Sequence, residues 1–88
     1  ILKALEIMPD NGAYIDSYGW VLYKSGDYSG ALRELKRAAE VISDDPVVFD
    51  HLGDAYKALG DTESARKYWQ KALELDGNNE QLRKKLSE

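Results

Sequence analysis

Apolar residues recur three and four positions apart along most of this chain, in blocks separated by short polar breaks. Over 12–25 they fall at Tyr14, Ile15, Tyr18, Val21 and Leu22, the spacing of one helix face. Gly26-Asp27 then interrupts the pattern. Glycine suits the positive φ that follows a helix end, and aspartate is a good N-cap for the next helix. Residues 28–42 resume the period with Ala31, Leu35, Ala38 and Ile42 on one stripe. At Asp45-Pro46 a capping acid precedes a proline whose missing N–H has no consequence at a helix start. The cycle repeats as 46–59 with Phe49, Leu52 and Tyr56, the break Gly60-Asp61, and 62–75 with Ala65, Trp69, Ala72 and Leu73. Gly77-Asn78-Asn79 ends it, and 80–88 begins a further helix with Leu82 and Leu86 four apart. No segment alternates with period two, so the pattern predicts an all-α chain without sheet. Residues 1–8 also read as helix, and a chain that opens in this way at Ile1 is expected to be a piece of a longer protein.

The blocks repeat. Displaced by 34 residues, the sequence aligns with itself over 54 pairs, of which eleven are identical, among them Asp16/Asp50, Gly19/Gly53, Gly26/Gly60, Asp27/Asp61, Ala31/Ala65 and Ala38/Ala72. Chance would give roughly three at ordinary composition. A 34-residue period in a helix-rich chain points to an array of helical hairpins. Gly19 and Gly53 fall in helix interiors, where glycine costs about 1 kcal/mol relative to alanine. Together with the paired alanines they are expected to let the two helices of a hairpin approach closely.

These residues resemble the tetratricopeptide repeat. Leu52-Gly53-x-x-Tyr56, Gly60, Ala65, Trp69 and Ala72 follow that family's pattern of small and large positions closely. The earlier copy is looser, with Tyr18-Gly19-x-x-Leu22, Gly26, Tyr28, Ala31, Leu35 and Ala38. Ala4–Asn11 is similar to the end of a preceding repeat, including its closing proline, Pro9, which Ser43 and Gly77 replace in the following copies. The resemblance implies an α-α superhelix, a solenoid of antiparallel helix hairpins with about two and a half repeats. Its expected division is one domain over 1–88: the end of a repeat at 1–11, repeats at 12–45 and 46–79, and a further or capping helix at 80–88. The motifs look most like those of bacterial multi-repeat proteins.

The same resemblance places a concave face mainly on the first helix of each hairpin, where family members bind an extended peptide or a partner helix. On that helix the stripe turned away from the core carries Asp16, Trp20, Tyr23 and Lys24 in one repeat, with Ala13 at its head. In the next it carries Asp50, Asp54, Lys57 and Ala58, with Val47 at its head. Trp20 stands where the family usually has a polar residue, whereas Trp69 stands at a packing position. Two readings of Trp20 are open: a binding anchor together with Tyr23, or a cover for a helix of the preceding repeat. Asp16, Asp50 and Asp54 either attract a basic partner or form an ordinary solvated face. One family subtype grips a C-terminal carboxylate with Lys and Asn on successive concave positions. The corresponding places here hold Asp16, Trp20 and His51, with Lys85 the one basic match, so the resemblance implies no such clamp. An acidic tail would meet repulsion from Asp16.

Composition narrows the alternatives. Twelve basic and sixteen acidic residues leave a net charge of −4, unsuited to phosphate backbones, so nucleic acid is not expected as a partner. Arg83-Lys84-Lys85 is more simply a helix C-terminal charge bias. No apolar run reaches the roughly 20 residues of a membrane span, so no membrane insertion is expected. The absence of cysteine removes thiolate sites and cysteine nucleophiles. His51 is the single histidine and has no Ser or Cys at a recognisable catalytic spacing. With Asp54 it offers too few ligands for zinc. Asp50 and Asp54 lie within a turn, with nothing apolar visible in the sequence to raise a carboxyl pKa. Neither an enzyme nor a cofactor is expected.

The reading is a protein-binding module. The alternative is a structural spacer, or a segment that self-associates through apolar end helices, Leu2, Leu5 and Met8 at one end and Leu82 and Leu86 at the other.

Overall fold

The computed structural model describes residues 12–87. They form five helices: α1 (Gly12–Lys24), α2 (Tyr28–Val41), α3 (Pro46–Ala58), α4 (Thr62–Leu75) and α5 (Glu80–Ser87). Among the described residues there is no strand. The expected helix over 1–8 lies outside the described residues.

The turns within the hairpins are built twice from the same atoms. After α1, Gly26 adopts φ 93°, its N–H donates to Tyr23 O, and the Asp27 N–H donates to Leu22 O at 2.9 Å. After α3, Gly60 adopts φ 88°, with the same pair of bonds to Lys57 O and Tyr56 O. This paired closure satisfies the orphan carbonyls of a helix end and requires a left-handed residue. The next residue caps the following helix. Asp27 Oδ1 accepts from Gly30 N at 3.0 Å, and Asp61 Oδ1 from Ser64 N at 3.1 Å. A Cβ on Gly30 would crowd the capping Asp27 carboxylate, but that side chain is exposed and can turn, and the equivalent cap accommodates Ser64. Asp45 caps α3 through Val47 N, with Pro46 in the first turn. Asp76 and Asn79 manage the passage into α5, where Asn79 Oδ1 accepts from Leu82 N.

α1 packs along α2 and α3 along α4, and each hairpin leans on the next. The core runs through these joints: Ile15, Ala31, Leu35, Ala38, Val48, Phe49, Leu52, Ala55, Ala65, Trp69, Ala72 and Leu82 are buried. The glycines act as expected, to different degrees. A Cβ on Gly53 would enter the Trp69 indole ring, and one on Gly19 would come within 2.9 Å of Leu35 Cγ. Val21, assigned to the core face by periodicity, is instead 47% exposed. The apolar stripe of α1 is narrower than its sequence pattern.

The end helix departs from expectation. Leu82 is fully buried and Leu86 packs against the same core. Short α5 therefore closes the α3–α4 hairpin and does not present these leucines as an open end. The opposite end, with Leu2, Leu5 and Met8, lies outside the described residues.

Candidate functional site

The seven residues singled out along the first helices come together on one face, formed by α1 and α3, with α5 as a third rail. Helical spacing puts Asp16, Trp20, Tyr23 and Lys24 on one side of α1, and Asp50, Asp54 and Lys57 on one side of α3. Most of them are already engaged within the molecule.

Asp16 Oδ1 lies 2.9 Å from His51 Nδ1, between two half-buried side chains. Trp20 stacks on His51 with ring centroids 4.0 Å apart, and on Tyr23 at 4.7 Å with planes 4° from parallel. Tyr28 meets Tyr23 edge-on at 5.2 Å. The exposed Lys24 holds its ammonium 5.4 Å from the Trp20 ring. Trp20 therefore covers a helix of the following repeat; the preceding repeat, which the other reading of Trp20 needs, lies outside the described residues.

One turn further along the stack, Lys85 Nζ donates to Asp50 Oδ1 at 2.7 Å and to Asp54 Oδ1 at 3.0 Å. The Lys57 and Lys85 ammoniums also lie 5.7 and 5.6 Å from the buried Trp69 ring. Burial raises the Asp54 carboxyl above its ordinary range, and Lys85 only partly opposes this. An apolar influence on that carboxyl is thus present in the fold, though none is visible in the sequence. Burial alone lowers the Lys85 ammonium, but its bonds to Asp50 and Asp54 outweigh that and hold it above its usual value. Tyr23 is also raised, by burial first and then by the Asp54 carboxylate.

Two members of this face lie outside the seven: His51 and Lys85, which the family resemblance set at concave positions without giving them partners. They occupy the same place one period apart, and each reaches the acid 35 residues before it. Period plus one was the available signal, but it becomes readable only once the stagger of adjacent helices is known. The basic run at 83–85 divides by direction. Arg83 bonds Gly77 O and pairs with Glu80, while Lys85 turns into the acids. Among the described residues no three His, Cys, Asp or Glu side chains gather as metal ligands, and no helix is long and apolar enough to cross a membrane.

Known proteins share the repeat architecture. The tetratricopeptide repeat model matches residues 46–79. A TPR repeat-containing protein of Pseudomonas aeruginosa is 41% identical over 61% of this chain and 9% of its own length. The Hsp70-Hsp90 organizing protein of Triticum aestivum is 31% identical over 97% of this chain and 15% of its own. The small glutamine-rich tetratricopeptide repeat-containing protein 2 of Mycosarcoma maydis is 27% identical over 97% of this chain and 24% of its own. The chain thus spans a quarter or less of the length of these relatives. Among solved structures, the first TPR of Spaghetti (RPAP3) bound to the HSP90 peptide SRMEEVD superposes with a TM-score of 0.94 at 21% identity, covering 98% of this chain and 68% of that one. With its 34-residue period, its twice-built glycine turns and this shared architecture, the chain belongs to the tetratricopeptide repeat family.

Proposed function

We propose that this chain is a non-catalytic protein-interaction module, which holds an extended or helical segment of a partner along the face of α1 and α3. The observation that carries the reading is the row of half-buried and exposed groups there. Tyr23 and Trp20 are half-buried rings, Lys24 and Lys57 are exposed residues, and Asp16, Asp50 and Asp54 are fixed acceptors. A preorganised face of this kind binds without first ordering its own side chains. The structural relative in complex with a heat-shock peptide supports a peptide as the class of partner. The repeats are read as 12–45 and 46–79, preceded by the end of a repeat at 1–11 and closed by 80–88.

The ligand of that relative is not expected to be held in the same way. Asp16 and His51 stand where a carboxylate clamp would need cationic and amide donors, and the corresponding Lys85 is occupied by two carboxylates. Spacer or self-association roles stand as the second reading, weakened at the C-terminal end by the burial of Leu82.

The test is selection from a displayed random-peptide library, followed by ¹⁵N–¹H correlation spectra with the selected peptides and with SRMEEVD. Perturbations confined to α1 and α3, lost in a folded Tyr23→Ala/Lys24→Glu/Lys57→Glu variant, would support the module. Peptides that bind the variant equally well, or an empty selection, would favour the spacer. Tight SRMEEVD binding would overturn the clamp argument alone.

A further inference from the structure

On the other side of α3, between α2 and α4, lies a cleft of about 320 Å³ whose lining includes Lys36, Ala39, Glu40, Phe49, Tyr68 and Lys71. It shares no residue with the face described above, and it does not rest on the function proposed there. Its floor is aromatic: Phe49 and Tyr68 lie 6.2 Å apart with planes 14° from parallel, and Tyr68 stacks on Tyr56 at 5.4 Å. Its rim is cationic. Of its lining lysines, Lys71 Nζ stands 5.0 Å from the Phe49 ring and Lys36 Nζ 5.7 Å from Tyr56; Lys67, outside the lining, holds its Nζ 5.5 Å from the Tyr68 ring.

None of these three exposed lysines, like Lys24 and Lys84, has a carboxylate within salt-bridge distance among the described residues, whereas Lys85, Arg33, Arg37 and Arg83 all do. In a chain of net charge −4, a cleft whose charged lining is two lysines and one glutamate around an aromatic floor runs against the overall balance. Repeat packing does not require it. One period earlier the equivalent places of Phe49, Tyr68 and Lys71 hold Ile15, Glu34 and Arg37, and there the buried Glu34 is tied down by Arg33 and Arg37.

We propose that this cleft is a second binding site, which takes an acidic linear segment of a partner protein with one aromatic side chain. The ring would lie against Phe49 and Tyr68, and flanking carboxylates would meet Lys36 and Lys71. Charge complementarity selects this occupant, since a basic segment would meet the two lining ammoniums of Lys36 and Lys71 and only Glu40 in return. Aromatic stacking then gives the segment a fixed register.

The probe is the capped synthetic pentapeptide Asp-Glu-Phe-Glu-Asp, titrated into the ¹⁵N-labelled chain. Saturable shifts at Lys36, Glu40, Tyr68 and Lys71 are expected, weakening with added salt. Affinity should fall at least tenfold when the peptide's Phe is replaced by Ser, when its acids are replaced by amides, and in Lys36→Glu/Lys71→Glu. The milder Lys36→Gln/Lys71→Gln pair serves if the charge reversal disturbs the circular dichroism spectrum. No shift at millimolar peptide, equal binding by the lysine variants, or shifts confined to α1 and α3 would overturn the site. So would concentration-dependent shifts of the same residues without peptide, which would identify a second copy of the chain as the occupant.

Discussion

Lys85 Nζ lies 2.7 Å from Asp50 Oδ1, 35 residues earlier in the chain, and His51 Nδ1 lies 2.9 Å from Asp16 Oδ1 at the same separation. The two contacts are copies of one another, set one repeat apart. One joins α1 to α3 and the other α3 to α5, so the acids form rungs between helices rather than a free anionic surface. Whatever binds this face meets charges that are already oriented and partly neutralised.

The Lys85 rung gives a pH-dependent prediction. Lys85→Met leaves Asp50 and Asp54 facing each other without a cation, and should lower stability at neutral pH by about 1–2 kcal/mol, between the values for exposed and buried pairs. Folded Asp54 binds its proton more tightly than the unfolded chain does. The folded state therefore gains relative stability as pH falls through the carboxylate range. Urea unfolding at a series of pH values should show the deficit of Lys85→Met shrinking on acidification. A pH-independent deficit would mean that the contact contributes only packing.

The helix glycines should rank by what their missing Cβ would strike. Gly53→Ala drives a methyl into the Trp69 ring, which Gly53, Lys57 and Lys85 hemmed in, and should destabilise by roughly 1–3 kcal/mol. Gly53→Leu should be worse. Gly19→Ala brings its methyl within 2.9 Å of Cγ of the buried Leu35 and 3.4 Å of Ala31 O, a milder clash that the gain in helix propensity of about 1 kcal/mol offsets in part, so it should cost less than Gly53→Ala. Thermal melts of the three variants would decide the order.

Turn glycines separate on backbone grounds alone. Gly60→Ala forces a side chain onto a φ of 88° with open space around it, a strain of about 1–2 kcal/mol. Gly77 is not among the positive-φ glycines, and its nearest obstacle is Leu73 O at 3.8 Å. Gly77→Ala should therefore leave the melting temperature unchanged or raise it.

Leu82 tests the closing role of α5. Leu82→Ala removes a fully buried side chain and should lower stability by about 2–5 kcal/mol. If α5 closes the core, sedimentation should show the same oligomeric state for the variant and the parent. A change in oligomeric state would restore these leucines as an association surface.

Trp20→Ala distinguishes packing from recognition. Loss of its stacks on Tyr23 and His51 should lower stability by about 0.5–1.5 kcal/mol beyond the lost burial. The measurement is unfolding free energy alongside affinity for a peptide selected on the α1–α3 face. Stability that falls while affinity holds would assign Trp20 to the joint between repeats.

The sequence by itself determined the helices, their breaks and the period. Those signals are local: Gly26 and Gly60 need a left-handed backbone, Asp27, Asp45 and Asp61 supply caps, and apolar residues recur at helical spacing. The family followed from the same positions, because close helix packing restricts Gly53, Ala65 and Ala72 to small residues whatever the rest of the chain does. Only the tertiary structure decided which acid meets which base, that Trp20 lies on His51, that Leu82 is closed over, and that Val21 is not. Each of these depends on the stagger and tilt of helices a whole repeat apart, fixed by the summed packing of the core. A 34-residue period shows which positions are equivalent; the one-residue offset by which Asp50 finds Lys85 comes from how neighbouring helices slide past each other.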